Sequence, residues 1–128
     1  MISLDTNIVL RFLLGDVAEQ TEKATELIEN NMVYITDVIV IEIIYVLEKV
    51  YELSRKDICA VVTDFLNFTN VVHNPRFLLK TINLYENHPA LSAVDCYACE
   101  EAKDYSNELV TLDKRLISQG GPHVRSLS

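Results

Sequence analysis

Short apolar or β-branched runs that end on a polar residue alternate along this chain with longer segments whose apolar positions recur every three or four residues. Ile2-Ser3-Leu4, ending at Asp5, predicts a short buried strand. Ile8 to Leu14 predicts a helix stopped by Gly15, a residue suited to a left-handed helix end. Asp16, with Glu19 three residues on, matches the capping box that opens a helix. Val17, Thr21, Ala24 and Ile28 then share one face of that helix, which ends near Asn30-Asn31.

Val33 to Thr36 predicts a second strand. Asp37 is expected to cap a strongly apolar helix from Val38 to Tyr51, and Ser54 with Asp57 to open another through Leu66. Val71 to His73 reads as a third strand, and Asn74-Pro75 as the start of a helix to Asn87. After the break at His88-Pro89 comes a helix from Ala93 to Tyr105. Leu109 to Leu112 then forms a strand ending at Asp113, followed by one helical turn and a short strand at His123 to Leu127. Strands alternating with helices imply an α/β fold, a three-layer sandwich around a central, mostly parallel sheet of four to five strands. Ligands are then expected at the carboxyl ends of the strands, where Asp5 and Asp113 lie.

Composition narrows the class. With 128 residues, 49% hydrophobic, the chain suits one domain over 1–128 and needs no disulfide or metal to fold. The longest apolar stretch, Val38 to Leu47, is too short to cross a membrane and contains Glu42. The N-terminus lacks a basic region before an apolar core, so a secreted form is not expected. Three cysteines exclude a fully paired disulfide framework, and the expected compartment is cytoplasmic. Eleven Lys and Arg against nineteen Asp and Glu give a net charge of −8, the opposite of an ordinary nucleic-acid binder.

Four acids stand out from the rest by their apolar neighbours. Asp5 and Asp113 close strands, Asp95 sits in Ala93-Val94-Asp95-Cys96-Tyr97-Ala98, and Glu42 interrupts the third helix. Each has a plain structural explanation: Asp5 and Asp113 as helix caps, Asp95 as part of a capping box begun by Ser92, Glu42 as a helix-edge residue. Taken together they point further. Glu42 shares a helical stripe with Val38, Ile41 and Tyr45 and is expected to face inward, so that all four carboxylates converge on one crevice. At ~4 Å and an effective dielectric near 20, each close pair repels by roughly 4 kcal/mol. A hard divalent cation, Mg²⁺ or Mn²⁺, relieves that repulsion and suits phosphoryl chemistry.

At these residues the chain resembles the PIN-domain nucleases, and most closely the VapC toxin ribonucleases of toxin–antitoxin pairs. The resemblance runs through Leu4-Asp5-Thr6-Asn7, Arg11 to Asp16, Ile41-Glu42, Ser92 to Cys96 and Thr111-Leu112-Asp113-Lys114, in family order and spacing. It implies that Asp5, Glu42, Asp95 and Asp113 form an acidic quartet holding one or two Mg²⁺ or Mn²⁺ ions, with Asp5 and Asp95 the surest ligands. It implies that Thr6 and Asn7 support the site by hydrogen bonding, and that Thr111 lies close to it. The implied reaction is hydrolysis of RNA, leaving a 5′-phosphate and a 3′-hydroxyl. The implied partner is a basic, DNA-binding antitoxin, through which alone the protein meets DNA.

Because the surface is acidic, RNA must be gripped locally, at Arg11, Arg76, Lys80, Lys114 or Arg115. Cys96-x-x-Cys99 has neither a second cysteine pair nor a nearby His and is assigned to the core. Ile43, Ile44, Val46, Leu47 and Val50 carry more apolar surface than one core contact needs, which suggests a homodimer through the third helix and its successor. Two other phosphoryl-transfer folds are disfavoured. A dehalogenase-like phosphatase needs Asp where Asn7 stands, and a receiver domain needs a phosphoacceptor Asp where His73-Asn74 follows the third strand. The remaining alternatives are another metal-dependent phosphatase or nuclease, and a non-catalytic PIN fold that only binds its antitoxin.

Overall fold

The computed structural model describes residues 1–128. They divide into two compact units, Met1–Asn74 and Pro75–Ser128. Seven helices and five strands make up the α/β chain, and every strand pair is parallel.

Unit 1 runs β1 (Ile2–Ser3), α1 (Thr6–Leu14), α2 (Ala18–Glu29), β2 (Val33–Tyr34), α3 (Asp37–Lys49), α4 (Arg55–Leu66) and β3 (Val71–Val72). Its sheet has the order β1-β2-β3, with Ile2 opposite Val33 and Val33 opposite Val71. Successive strands are parallel because a helix, or a pair of helices, carries the chain back between them. Gly15 ends α1 in the left-handed conformation at φ 63°, its N–H reaching the Arg11 carbonyl at 3.1 Å. Phe12, Phe65 and Phe68 stack edgewise with centroids 5.8–6.1 Å apart and pin α1 to the end of α4. Asn70 donates to the Ile28 and Asn31 carbonyls at 2.6 and 3.1 Å, tying the end of α2 to the approach of β3.

Unit 2 runs α5 (Leu78–Asn87), α6 (Ala93–Asp104), β4 (Leu109–Thr111), α7 (Lys114–Gln119) and β5 (Val124–Ser126), with β4 and β5 paired from Leu109 opposite Val124 to Thr111 opposite Ser126. A short loop turns α5 back on α6, and Phe77 beside α5 packs against Tyr97 and Tyr105 of the α6 side. Leu78, Ile82, Tyr85, Leu91, Cys96 and Cys99 are buried, each large apolar side chain contributing about 1.5–3 kcal/mol.

Several local expectations are corrected. The five strands hydrogen-bond as sets of three and two rather than as one ladder of four or five. Thr36, not Asp37, caps α3, because its Oγ1 accepts the Ile39 N–H at 3.3 Å. Asp16 opens no capping box. Arg11 captures it at 2.7 Å and Tyr51 donates to its other oxygen, while α2 starts at Ala18 with no side-chain cap. The fifth helix begins at Leu78 rather than after Asn74, since Phe77 is held non-helical at φ −142°. Ile43, Ile44 and Leu47 are core residues of α3 rather than free interface, leaving Val38, Tyr45 and Val50 as its exposed apolar side chains.

Candidate active site

In unit 1 the chain leaves β1 through Leu4, whose N–H still pairs with the Tyr34 carbonyl, and Asp5 follows as the N-cap of α1. Asp5 Oδ1 accepts the Thr6 N–H at 2.8 Å. Thr6 is buried, and its hydroxyl donates to Glu42 Oε2 on α3 at 2.8 Å. One threonine therefore touches both acids, through its backbone and its side chain. Glu42 does not face the core, contrary to the sequence expectation. Its stripe with Val38 and Tyr45 is the exposed one, and Val40, Ile43, Ile44 and Leu47 form the buried stripe. Asn7 is exposed and bonds to neither carboxylate. It lines a groove of about 620 Å³ with Ile8, Arg11, Gln20 and Leu27.

In unit 2 the other two acids hold helix starts. Ser92 Oγ accepts the Asp95 N–H and Asp95 Oδ2 accepts the Ser92 N–H, both at 3.1 Å, a complete capping box for α6. Asp113 caps α7, its Oδ1 accepting from the N–H groups of Arg115 at 2.8 Å and Leu116 at 3.3 Å. Thr111 Oγ1 accepts the Asp113 N–H at 3.0 Å and so fixes the backbone from which that carboxylate projects. Within neither unit do three or more His, Cys, Asp and Glu side chains gather as metal ligands.

The four acids share one chemical feature. Each is held by protein donors through a single oxygen: Asp5 Oδ1, Glu42 Oε2, Asp95 Oδ2 and Asp113 Oδ1. The second oxygen of each has no protein hydrogen bond, and no Lys, Arg or His forms an ion pair with any of the four. Four of the five arginines are engaged elsewhere: Arg11 with Asp16, Arg55 with Glu48, Arg76 with Asp104 and Arg125 with Glu108. A free carboxylate oxygen is a hard donor of the chemical type that Mg²⁺ and Mn²⁺ take.

Of the five cations considered for gripping a substrate, Arg11 and Arg76 are held by acids, while Lys80, Lys114 and Arg115 are exposed and unpaired. All three cysteines are buried and free of disulfides. Burial, with the charges of Glu100 and Asp95, pushes the Cys99 thiol up to about 11, which favours the protonated thiol at neutral pH. His123 donates to the Cys99 carbonyl at 2.8 Å, which is a packing role.

The PIN domain family model matches residues 2–121, a span that enters both units. A VapC ribonuclease of Aquifex aeolicus is 30% identical over 125 residues, covering 91% of this chain and 90% of the relative. Ordered acids at strand ends and helix starts, a match over nearly the whole chain and this relative agree: the chain belongs to the PIN-domain family, on its VapC-like branch.

Proposed function

We propose that this protein is a Mg²⁺- or Mn²⁺-dependent endoribonuclease that acts as one domain, the toxin of a toxin–antitoxin pair. The observation that carries the reading is the set of four carboxylates, each anchored by one oxygen, with the other unbonded and no basic side chain as counter-ion. Asp16, by contrast, is paired with Arg11.

Asp5 and Asp95 would be the principal metal ligands, with Glu42 and Asp113 as further ligands, directly or through water. A bound ion would supply charge neutralisation at the phosphate and would acidify the attacking water. Thr6 holds the Glu42 carboxylate in one orientation and leaves Oε1 to receive a proton or a ligand. Thr111 steadies Asp113 in the same manner through its backbone. Lys114 and Arg115, exposed beside Asp113, contact RNA phosphates. Water adds to phosphorus in line with the departing 3′-oxygen, so the P–O3′ bond breaks and the products carry a 5′-phosphate and a 3′-hydroxyl.

The name of the Aquifex relative, a VapC ribonuclease, supports RNA as substrate, and an antitoxin partner is what the resemblance to VapC toxins implies. An acidic surface suits a basic antitoxin, through which the complex would meet DNA. A homodimer belongs to the same proposal, because Val38, Tyr45 and Val50 leave apolar surface on α3. No helix is long and apolar enough to cross a membrane, and a cytoplasmic site of action is part of the proposal. The test is cleavage of RNA with Mn²⁺ by wild type and by Asp5→Asn. Loss of cleavage in a folded variant is expected, and undiminished cleavage would eliminate the assigned chemistry.

A further inference from the structure

The net charge of −8 is unevenly distributed. Residues 1–74 carry five Lys and Arg against twelve Asp and Glu, a balance of −7, whereas residues 75–128 carry six against seven, a balance of −1. Six of the eleven cations are held by acids in ion pairs. The five that are not are Lys56, Lys80, Lys103, Lys114 and Arg115, and four of these lie in unit 2. Lys114 and Arg115 follow Asp113 in sequence. Lys80 and Lys103 are 23 residues apart, yet they line one groove of about 250 Å³ between α5 and α6.

Apart from Leu84, the rest of that groove is built from hydrogen-bonding side chains. Asn87 Nδ2 donates to the Asn83 carbonyl at 2.9 Å and to Asn83 Oδ1 at 3.1 Å. The Asn83 amide is thereby fixed with its oxygen toward Asn87, so its two N–H donors are left for a ligand. His88 bonds the Leu84 carbonyl at 3.1 Å through Nδ1. Glu100, one turn before Lys103, is the one acid in the lining, and the groove remains net positive in a chain that is strongly negative.

The direction of the groove matters. Arg76, just before α5, pairs with Asp104 at the end of α6 and covers the Tyr105 ring at 4.6 Å, so the two helices are antiparallel. Lys80 and Lys103 therefore mark one end of the groove, and Asn87 and His88 mark the end where Ser92 and Asp95 open α6. Eight residues of helix separate Asp95 from Lys103, about 12 Å along the axis. That separation suits a neighbouring stretch of the same strand rather than the phosphate being attacked.

We propose that the α5–α6 groove is an accessory site for the sugar–phosphate backbone of single-stranded RNA, with Lys80, Lys103 and the Asn83 amide as donors to phosphate. The assignment rests on the ribonuclease reading and adds where an acidic protein holds its substrate. The test is binding of a labelled single-stranded RNA oligonucleotide in EDTA, followed by anisotropy across a salt series. It compares wild type, the double variant Lys80→Ala/Lys103→Ala and the charge-matched control Lys49→Ala/Lys56→Ala. All four lysines are exposed, and circular dichroism checks that each variant folds.

Two lost phosphate contacts on a single strand lower the slope of log K against log salt by about 1.4. That drop is expected in the groove variant and not in the control. An unchanged slope, or an equal drop in the control, overturns the proposal. Cleavage of the same RNA by wild type with Mn²⁺ separates the two readings. If wild type cleaves while the groove variant keeps its slope, the groove assignment falls and the nuclease stands. If wild type neither binds nor cleaves RNA, both fall.

Discussion

The Thr6 hydroxyl donates to Glu42 Oε2 across 2.8 Å while the Thr6 N–H is taken by Asp5, so one buried residue orients two acids from separate elements. Thr6→Val keeps the shape and removes the donor. Loss of an orienting partner costs 10–100-fold in metal affinity or activity. The variant should therefore need more Mn²⁺ for half-maximal cleavage, Thr6→Ser should restore the wild-type requirement, and stability should drop by only about 1 kcal/mol. A wild-type Mn²⁺ requirement in Thr6→Val would reduce the bond to a packing detail.

Asp5 and Asp113 have two separable duties, capping through one oxygen and offering the other. Asparagine caps a helix as well as aspartate does, whereas alanine costs about 0.5–2 kcal/mol. Asp5→Asn and Asp113→Asn should thus unfold in urea like wild type, and the corresponding alanine variants earlier. Equal losses in both series would mean that the carboxylate charge itself holds the fold.

Asp16 supplies a pH signature independent of catalysis. Hydrogen bonding to Arg11 holds its carboxyl below the usual range, so the pair's contribution is complete above the unfolded carboxylate's pKa and disappears as pH falls through the lower folded value. Thermal midpoints measured from neutral pH down to about pH 3, spanning the ordinary aspartate pKa of about 3.9, should decline less steeply in Asp16→Asn than in wild type. Parallel curves would remove the pair from the acid response.

Gly120 sits in the corner between α7 and β5 with no room for a side chain. A Cβ there would stand 2.7 Å from the Leu116 carbonyl oxygen and 2.8 Å from both Cys99 Sγ and Val124 Cγ2. The first of these is backbone and cannot swing aside. Gly120→Ala should cost about 1–3 kcal/mol, measured by denaturant unfolding.

Much of this was legible in the residues, for local reasons. Gly15 announces a left-handed helix end, Ser92 and Asp95 announce their box, and Asp5 and Asp113 stand where strands give way to helices. The orientation of Glu42 was not legible. α3 is apolar around most of its circumference, so periodicity offers two stripes and only tertiary packing selects Val40, Ile43, Ile44 and Leu47 as the inner one. Asp16 misleads for the opposite reason: its cap spacing is sound, but Arg11 from the preceding helix reaches it first. Lys103 carries no motif, and its link to Lys80 exists only because two helices fold antiparallel. The near-neutral second half could have been counted from the sequence, but the whole-chain charge concealed it.

Calorimetric titration of Mn²⁺ into wild type and into Asp5→Asn, Glu42→Gln, Asp95→Asn and Asp113→Asn asks the central question without relying on any RNA. The expected result is binding to wild type that is weakened in all four variants, most in Asp5→Asn and Asp95→Asn. Full-strength Mn²⁺ binding by every variant, or none by wild type, would contradict the carboxylates' assignment as metal ligands.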